Sequence, residues 1–132
     1  QYRYSLDEYI YEFPAGLVET GEAMTDAAVR EFHEETGLHL KVIPADDMYT
    51  KPRFTTVGMT DEACGMVYGY ASGVPDNRFE ESSEDIQVVL ADKKEVRRIL
   101  KEENVAMMCA YMLLYFLKSE GDPLGFVEMQ EK

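Results

Sequence analysis

Short runs of aromatic and β-branched residues predict strands at the start of the chain. Residues 1 to 6 and 8 to 13 are rich in Tyr, Ile and Phe, and a Leu-Asp-Glu segment separates them as a turn. Apolar and polar residues then alternate over residues 38 to 43, which is typical of a half-buried strand, and Pro44 ends it. We therefore predict three short strands in this part of the chain.

Two later apolar runs, residues 63 to 72 and 86 to 91, predict buried strands. Residues 74 to 85 between them are acidic and rich in turn-forming residues, so we expect a surface loop there. Residues 44 to 60 contain Pro52, threonines and basic residues, and they predict a strand fragment with a functional loop.

Helical periodicity predicts one helix in the first third of the chain, over residues 26 to 36. Thr25 has the residue type of an N-cap, and Gly37 is suited to a left-handed C-cap. The apolar side that faces the core is expected to be Phe32 together with Val29 or Ala28.

The last third of the chain is predicted to be helical. Asp92 is expected to cap residues 93 to 103, and Asn104 to cap residues 105 to 120. The buried side of the first of these helices comprises Val96 with Ile99 or Leu100. The second is apolar almost all round, so we expect it to lie either in the core or in a subunit interface.

Strands and helices in this order predict an α+β or α/β sandwich, a mixed sheet packed between helices. The 132 residues, 45% of them hydrophobic, suit a single domain with a core. The chain begins without a methionine, and we expect an upstream part of the natural protein to precede residue 1.

The net charge of −13 makes nucleic acid and anionic membrane surfaces poor partners. There is no apolar run of the length that spans a membrane, about 18 residues or more, and no signal-like start. Cys64 and Cys109 stand far apart without a second pair, which favours buried apolar fillers in a reducing, cytoplasmic setting.

Three carboxylates crowd the predicted helix of residues 26 to 36. Glu31 and Glu35 are one helical turn apart on one face, and Glu34 lies beside them. Like charges at this spacing repel, so a cation must offset them, and Mg²⁺ prefers oxygen ligands. A solvated acidic helix is the alternative interpretation.

Written as a pattern, the stretch from residue 16 to 38 is G-x5-E-x7-R-E-U-x-E-E-x-G-U, where U is a bulky apolar residue. This pattern resembles the signature of the Nudix hydrolases. Its fixed positions are all met, by Gly16, Glu22, Arg30, Glu31, Phe32, Glu34, Glu35, Gly37 and Leu38. The resemblance implies the α/β/α sandwich and the metal-dependent hydrolysis of that family, with Gly16, Glu22 and Gly37 in structural positions.

Roles on the helix follow from the carboxylate spacing and from this resemblance. Glu31 and Glu35 are the first choice as metal ligands, and Glu34 is a further ligand or acts through water. The resemblance adds the backbone carbonyl of Ala15 as a ligand. Arg30 is placed among the catalytic residues, but its expected role is to support the site. It is expected to face away from the metal and to pair with Glu22, which fixes the loop to the helix.

Segments outside the signature resemble the ADP-ribose and ADP-sugar pyrophosphatase branch of the family. Two of these segments precede the helix, QYR at 1 to 3 and E-x-PAG at 12 to 16. The others are GMTDE at 58 to 62 and SSEDIQVVLADKKEV at 82 to 96, which resembles the acidic loop, strand and helix of that branch. Val57 stands where the branch often has a proline, and two serines interrupt the acidic run. The resemblance makes Glu84 the preferred catalytic base, with Glu81 second.

The same resemblance implies nucleotide or ribose contacts for Arg3, Asp61 and Glu62, although Asp61 could equally form a turn. His33 and His39 are interpreted as surface or packing residues. The implied reaction is Mg²⁺-dependent cleavage of ADP-ribose, with Mn²⁺ as a possible substitute. The resemblance also implies a homodimer in which an N-terminal β segment, expected ahead of residue 1, completes each active site. Other nucleotide sugars, dinucleoside polyphosphates and oxidised nucleoside triphosphates are alternative substrates, and a nucleotide-sensing module without turnover is the alternative of another class.

Overall fold

The computed structural model describes residues 1 to 76, residue 78 and residues 82 to 127. The helices over these residues are α1 (Met24–Thr36), α2 (Asp47–Thr50), α3 (Lys93–Glu102) and α4 (Met107–Lys118). The strands are β1 (Tyr2–Arg3), β2 (Glu8–Tyr9), β3 (His39–Val42), β4 (Arg53–Phe54), β5 (Ala63–Cys64) and β6 (Gly69–Ser72).

The strands pair as antiparallel ribbons. β1 pairs with β2, β4 with β5, and β3 with β6, whose register places His39 opposite Ser72 and Val42 opposite Gly69. A parallel bridge joins Tyr11 to Val105, just before α4. Helices and short sheets therefore share the fold, and the predicted α/β class is confirmed.

Helix α1 begins earlier than predicted. It starts at Met24, with Ala23 in the N-cap position and no side-chain cap, so the prediction of Thr25 as the cap was wrong. Its end is as predicted. Gly37 has φ 72°, and its N–H donates to the His33 carbonyl over 2.7 Å. This left-handed cap turns the chain so that β3 runs back against α1.

The core is small, and α1, α3 and α4 contribute to it together with residues that lie outside the regular elements. Its buried apolar residues are Ile10, Ala27, Leu38, Tyr68, Val96, Ile99, Cys109 and Val127. On α1 the buried apolar residue is Ala27, which is 2% exposed, whereas Val29 is 37% exposed. Of the two predicted alternatives Val29 is therefore the wrong one, whereas Ala28 and Phe32 are half-buried.

Two strand predictions need correction. Residues 63 to 72 form two separate strands, because β5 pairs with β4 while β6 pairs with β3, and the residues between them lie outside both ladders. Residues 86 to 91 form no strand in the part of the chain that the structure describes. An apolar run favours a strand, but a ladder also needs a free sheet edge beside it.

Of the N-caps predicted for the two C-terminal helices, one is confirmed and the other is wrong. Asp92 caps α3 as predicted, since its side chain accepts from the Glu95 N–H over 2.8 Å. Asn104 does not cap α4, which has Ala106 in the N-cap position. The Asn104 amide instead donates to Glu8 Oε2 over 2.7 Å.

Helix α4 lies on the surface of the chain rather than in its core. Cys109 is its buried residue, whereas Met107 and Tyr111 are 66% and 63% exposed. The core alternative was therefore wrong for the single chain, and the interface alternative stays a prediction. None of the helices in the described ranges is long and apolar enough to cross a membrane.

Candidate active site on helix α1

Glu35 is the most enclosed carboxylate of the predicted site, with 6% of the residue exposed. The Ala15 N–H donates to its Oε2 atom over 3.1 Å, which ties the loop before α1 to the helix. The family resemblance implies a role for the Ala15 carbonyl at this site. The contact that the structure forms uses the amide of the same residue.

The pKa of Glu35 is raised to about 7. Burial is the largest cause, and the negative charges of Glu84 and Glu31 raise it further. The Ala15 N–H and the positive charge of Arg3 act in the opposite direction. The negative charges around Glu35 therefore outweigh the stabilisation by Arg3 and the Ala15 N–H, and this excess of negative charge favours a bound cation.

Gly16 leaves the space that the Glu31 carboxylate occupies. A Cβ atom at Gly16 would lie 1.9 Å from Glu31 Cδ and 2.2 Å from Oε1. Such distances are far inside van der Waals contact, so any larger residue would displace Glu31. The fixed glycine of the signature thus has a direct steric reason.

Arg30 joins four groups of the site. Its Nε and Nη2 atoms donate to the two oxygens of Glu22, both over 3.0 Å, and Nη2 also donates to the Leu17 carbonyl over 3.1 Å. The predicted pair with Glu22 is present. Nη1, however, lies 2.7 Å from Glu31 Oε1 and 3.3 Å from Glu34 Oε2. One guanidinium therefore contacts Glu22 before the helix as well as Glu31 and Glu34 on it, and the expectation that Arg30 faces away from the metal stays a prediction.

The carboxylate oxygens of Glu31, Glu34 and Glu35 are suitable ligands for a hard divalent cation. Their side chains do not converge on one point in this structure. Among the residues described, no three His, Cys, Asp or Glu side chains converge as metal ligands. Glu31 and Glu34 are instead paired with Arg30. Carboxylate oxygens on one helical face beside the buried Glu35 are ligands that Mg²⁺ prefers.

Glu84 approaches the helix from a different part of the chain. It is half-buried, and its charge acts on Glu35. The next residue, Asp85, accepts from the Tyr2 N–H over 2.9 Å and from the Tyr9 hydroxyl over 2.7 Å. Glu81, the second candidate for the base, lies outside the described residues.

The predicted substrate residues fall into two places. Arg3 lies on β1, pairs with Glu12 over 2.8 Å and acts electrostatically on Glu35. Asp61 and Glu62 belong to the β4–β5 hairpin, in which Thr55 Oγ1 donates to Glu62 Oε2 over 2.6 Å. Over the described ranges no hydrogen bond or ion pair joins this hairpin to the α1 carboxylates. Glu62 therefore stabilises its own turn in this structure.

The two histidines pack against each other beside the site. The rings of His33 and His39 are stacked, with centroids 5.0 Å apart, and His33 Nδ1 lies 3.1 Å from the Leu38 carbonyl oxygen. This geometry supports the packing interpretation.

Two contacts of the site had no signal in the sequence. Tyr9 and Asp85 are 76 positions apart, and neither belongs to the signature. The Ala15 amide contact to Glu35 spans 20 positions. A pattern of fixed spacing along one helix carries no information on such pairings, which depend on how distant segments of the chain come together.

Comparison with known proteins identifies the family of the chain. A profile of the NUDIX domain matches residues 2–108. A Caenorhabditis elegans protein whose name places it among the nudix hydrolases is 35% identical over 99 residues, 70% of this chain and 43% of that protein.

Two further relatives carry more specific names. The ADP-ribose pyrophosphatase of Saccharomyces cerevisiae is 37% identical over 60 residues, 45% of this chain and 26% of the yeast protein. The ADP-sugar pyrophosphatase of Mus musculus is 51% identical over 37 residues, 28% of this chain and 17% of the mouse protein. The matches span less than half the length of these relatives. The profile, in contrast, covers most of this chain, and the chain belongs to the Nudix hydrolase family.

Proposed function

We propose that this chain hydrolyses the diphosphate bond of a nucleoside diphosphate sugar, with ADP-ribose, split into AMP and ribose 5-phosphate, as the main substrate. The observation that carries the proposal is Glu35, a buried carboxylate held by the Ala15 N–H beside Glu31 and Glu84. The names of the yeast and mouse relatives support the choice of an ADP-sugar.

Nudix hydrolases generally use a divalent metal ion, typically Mg²⁺. In our proposal Glu31, Glu34, Glu35 and the Ala15 carbonyl would hold Mg²⁺ in this chain, with Mn²⁺ as a substitute. The ion would neutralise phosphate oxygens and lower the pKa of a bound water. Arg30 would keep the helix and the preceding loop in register through Glu22 and Leu17.

The reaction itself needs a base and an in-line water. The water oxygen bonds to one phosphorus, the bridging P–O bond breaks, and the leaving phosphate keeps the bridging oxygen. Glu84 would accept the proton of the attacking water, with Glu81 as the second candidate. Arg3 would contribute positive charge near the phosphates, which matters because the whole chain carries −13.

Asp61 and Glu62 would contact the nucleotide or ribose if the β4–β5 hairpin closes over bound substrate. Glu62 would then exchange its bond to Thr55 for one to the ligand. This part of the proposal predicts that Asp61→Asn and Glu62→Gln raise KM more than they lower kcat.

A substrate panel with millimolar Mg²⁺ tests the proposal. ADP-ribose, other nucleoside diphosphate sugars, a dinucleoside polyphosphate and an oxidised nucleoside triphosphate are compared by kcat/KM. The proposal predicts the highest value for ADP-ribose. Faster cleavage of a nucleotide without a sugar diphosphate would contradict the substrate, and tight ADP-ribose binding without product would favour a sensing module.

The proposal extends to assembly and setting. The exposed apolar residues of α4 support a homodimer formed through that helix. The free thiols of Cys64 and Cys109 support a reducing, cytoplasmic setting. We propose that residues 1 to 132 form one Nudix domain. Its proposed partner is a nucleotide sugar, and we do not expect it to bind nucleic acid or a membrane.

A further inference from the structure

The residue after Glu84 is held at two points by the β1–β2 hairpin. The Tyr2 N–H donates to the Asp85 carbonyl over 2.9 Å, and the Tyr9 hydroxyl donates to Asp85 Oδ2 over 2.7 Å. Tyr2 and Tyr9 face each other across the hairpin, with their rings edge to face and centroids 5.4 Å apart. Both contacts to Asp85 therefore come from one cross-strand pair.

The hairpin is itself fixed to the rest of the fold. Ile10, next to Tyr9, is buried, and the Tyr11 N–H donates to the Asn104 carbonyl over 2.9 Å. The Ala106 N–H in turn donates to the Tyr11 carbonyl over 3.0 Å. Contacts on both sides of Tyr11 leave the hairpin little freedom, so it can serve as a platform for the residues that bind to it.

We propose that Tyr9 and Asp85 are positioning residues, which hold the backbone beside Glu84 so that its carboxylate is directed at the site around Glu35. This inference rests on the proposed function, in which Glu84 is the base. It assigns to an exposed tyrosine of the N-terminal hairpin a role in the reaction that the signature helix does not provide. The electrostatic effect of Glu84 on Glu35 agrees with this placement.

The first test is the kinetics of Tyr9→Phe, which removes one hydroxyl and keeps the ring against Tyr2. We expect kcat to fall about 3- to 10-fold with KM unchanged, since an exposed hydrogen bond is modest and its loss would misdirect the base. Tyr70→Phe is the matched control. Tyr70 is 44% exposed like Tyr9, and its hydroxyl donates to Asp122 Oδ1 over the same 2.7 Å. An equal kcat in Tyr9→Phe and wild type would overturn the inference.

A double-mutant cycle separates positioning from a general structural effect. In a Glu84→Gln background, Tyr9→Phe should cause no further loss of kcat, because the group that it positions is already inactive. The same fold-loss in both backgrounds would overturn the inference. Asp85→Asn retains an acceptor oxygen for the Tyr9 hydroxyl, so it should recover most of the kcat that Asp85→Ala loses.

A measurement on the metal-free protein avoids dependence on turnover. Hydrogen exchange of the Tyr2 amide, followed by NMR, reports on its bond to the Asp85 carbonyl. Tyr9→Phe should accelerate this exchange severalfold, whereas Tyr70→Phe should not. Unchanged exchange in Tyr9→Phe would contradict the positioning role.

Failure of the proposed function would look different. If the wild-type chain cleaves no nucleotide of the panel, the hydrolase proposal falls together with the role of Glu84. If the wild type is active and Glu84→Gln is equally active, hydrolysis stands and the present inference falls. The inference holds only if Glu84→Gln and Tyr9→Phe both lower kcat and do so non-additively.

Discussion

The amide N–H of Ala15 donates to Oε2 of Glu35 over 3.1 Å and so fixes the loop before α1 to the buried end of its acidic face. One donor does not compensate a buried carboxylate, and the pKa of Glu35 accordingly lies near 7. This contact places an unfavourable charge where the proposed cation would bind. Without a bound cation, the charged Glu35 side chain should therefore lower the free energy of unfolding, and this can be measured.

Glu35→Gln should stabilise the metal-free protein at pH 8 while abolishing turnover. The substitution removes a buried negative charge, and the new amide can donate to neighbouring carboxylates. From the shift of the Glu35 pKa from 4.5 to about 7 we expect a gain of at most about 3 kcal/mol. Thermal unfolding in EDTA measures it, with the exposed Glu102→Gln as control. A lower melting temperature for Glu35→Gln would contradict the prediction.

The same contact predicts how stability depends on pH. Because the folded pKa of Glu35 is raised, its protonated form favours folding, and this contribution is complete below pH 4.5 and lost as pH rises through about 7. In EDTA the wild type should therefore lose more stability than Glu35→Gln between pH 5 and 8. Denaturant unfolding of both proteins at the two pH values checks this, and parallel profiles would contradict it.

Gly16→Ala should displace Glu31, since the added Cβ would lie 1.9 Å from Glu31 Cδ. We expect a stability loss of about 1–3 kcal/mol from the clash and a fall in kcat/KM of roughly 100-fold from the misplaced carboxylate. Gly125→Ala is the matched control, because a Cβ there would meet its nearest atom, the Asp122 carbonyl oxygen, at an ordinary contact distance of 3.5 Å. Equal activity of the two variants would show that the Glu31 position is not needed.

Arg30→Lys should reduce activity by about 10- to 100-fold, because lysine cannot bind Glu22 through two nitrogens and reach Glu31 as well. Arg98→Lys is a suitable control. Arg98 also pairs with several carboxylates, Glu95 and Glu103 among them, but on α3. If both substitutions reduce kcat/KM equally, Arg30→Lys acts by lowering the overall stability of the protein. The proposed role of Arg30 in the site would then be contradicted.

The sequence predicted the features that depend on local spacing. The helix with its glycine cap, the Arg30–Glu22 pair and the Asp92 cap all follow from residues within one element or its flank. It failed where a distant contact decided the outcome. Asn104 has the residue type of a helix cap, yet its amide bonds to Glu8, 96 positions away. The strand predicted at 86 to 91 likewise depended on a partner edge that no local pattern reveals.

Helix α4 offers a test of the proposed homodimer. Met107→Glu with Tyr111→Glu would place two charges on the exposed apolar side and should convert dimers to monomers in light scattering. Met48→Glu with Met59→Glu, at exposed positions outside α4, is the control pair. A wild-type monomer, or a dimer that persists after the α4 substitutions, would contradict assembly through this helix.

The rate of AMP release from ADP-ribose, measured against Mg²⁺ concentration for the wild type and Glu35→Gln, tests the central claim most directly. We predict a wild-type rate that rises with Mg²⁺ to saturation and disappears in EDTA, with nearly all activity lost in a folded Glu35→Gln protein. Wild-type turnover that is indifferent to Mg²⁺ and EDTA, or full turnover by Glu35→Gln, would contradict a metal site built around Glu35.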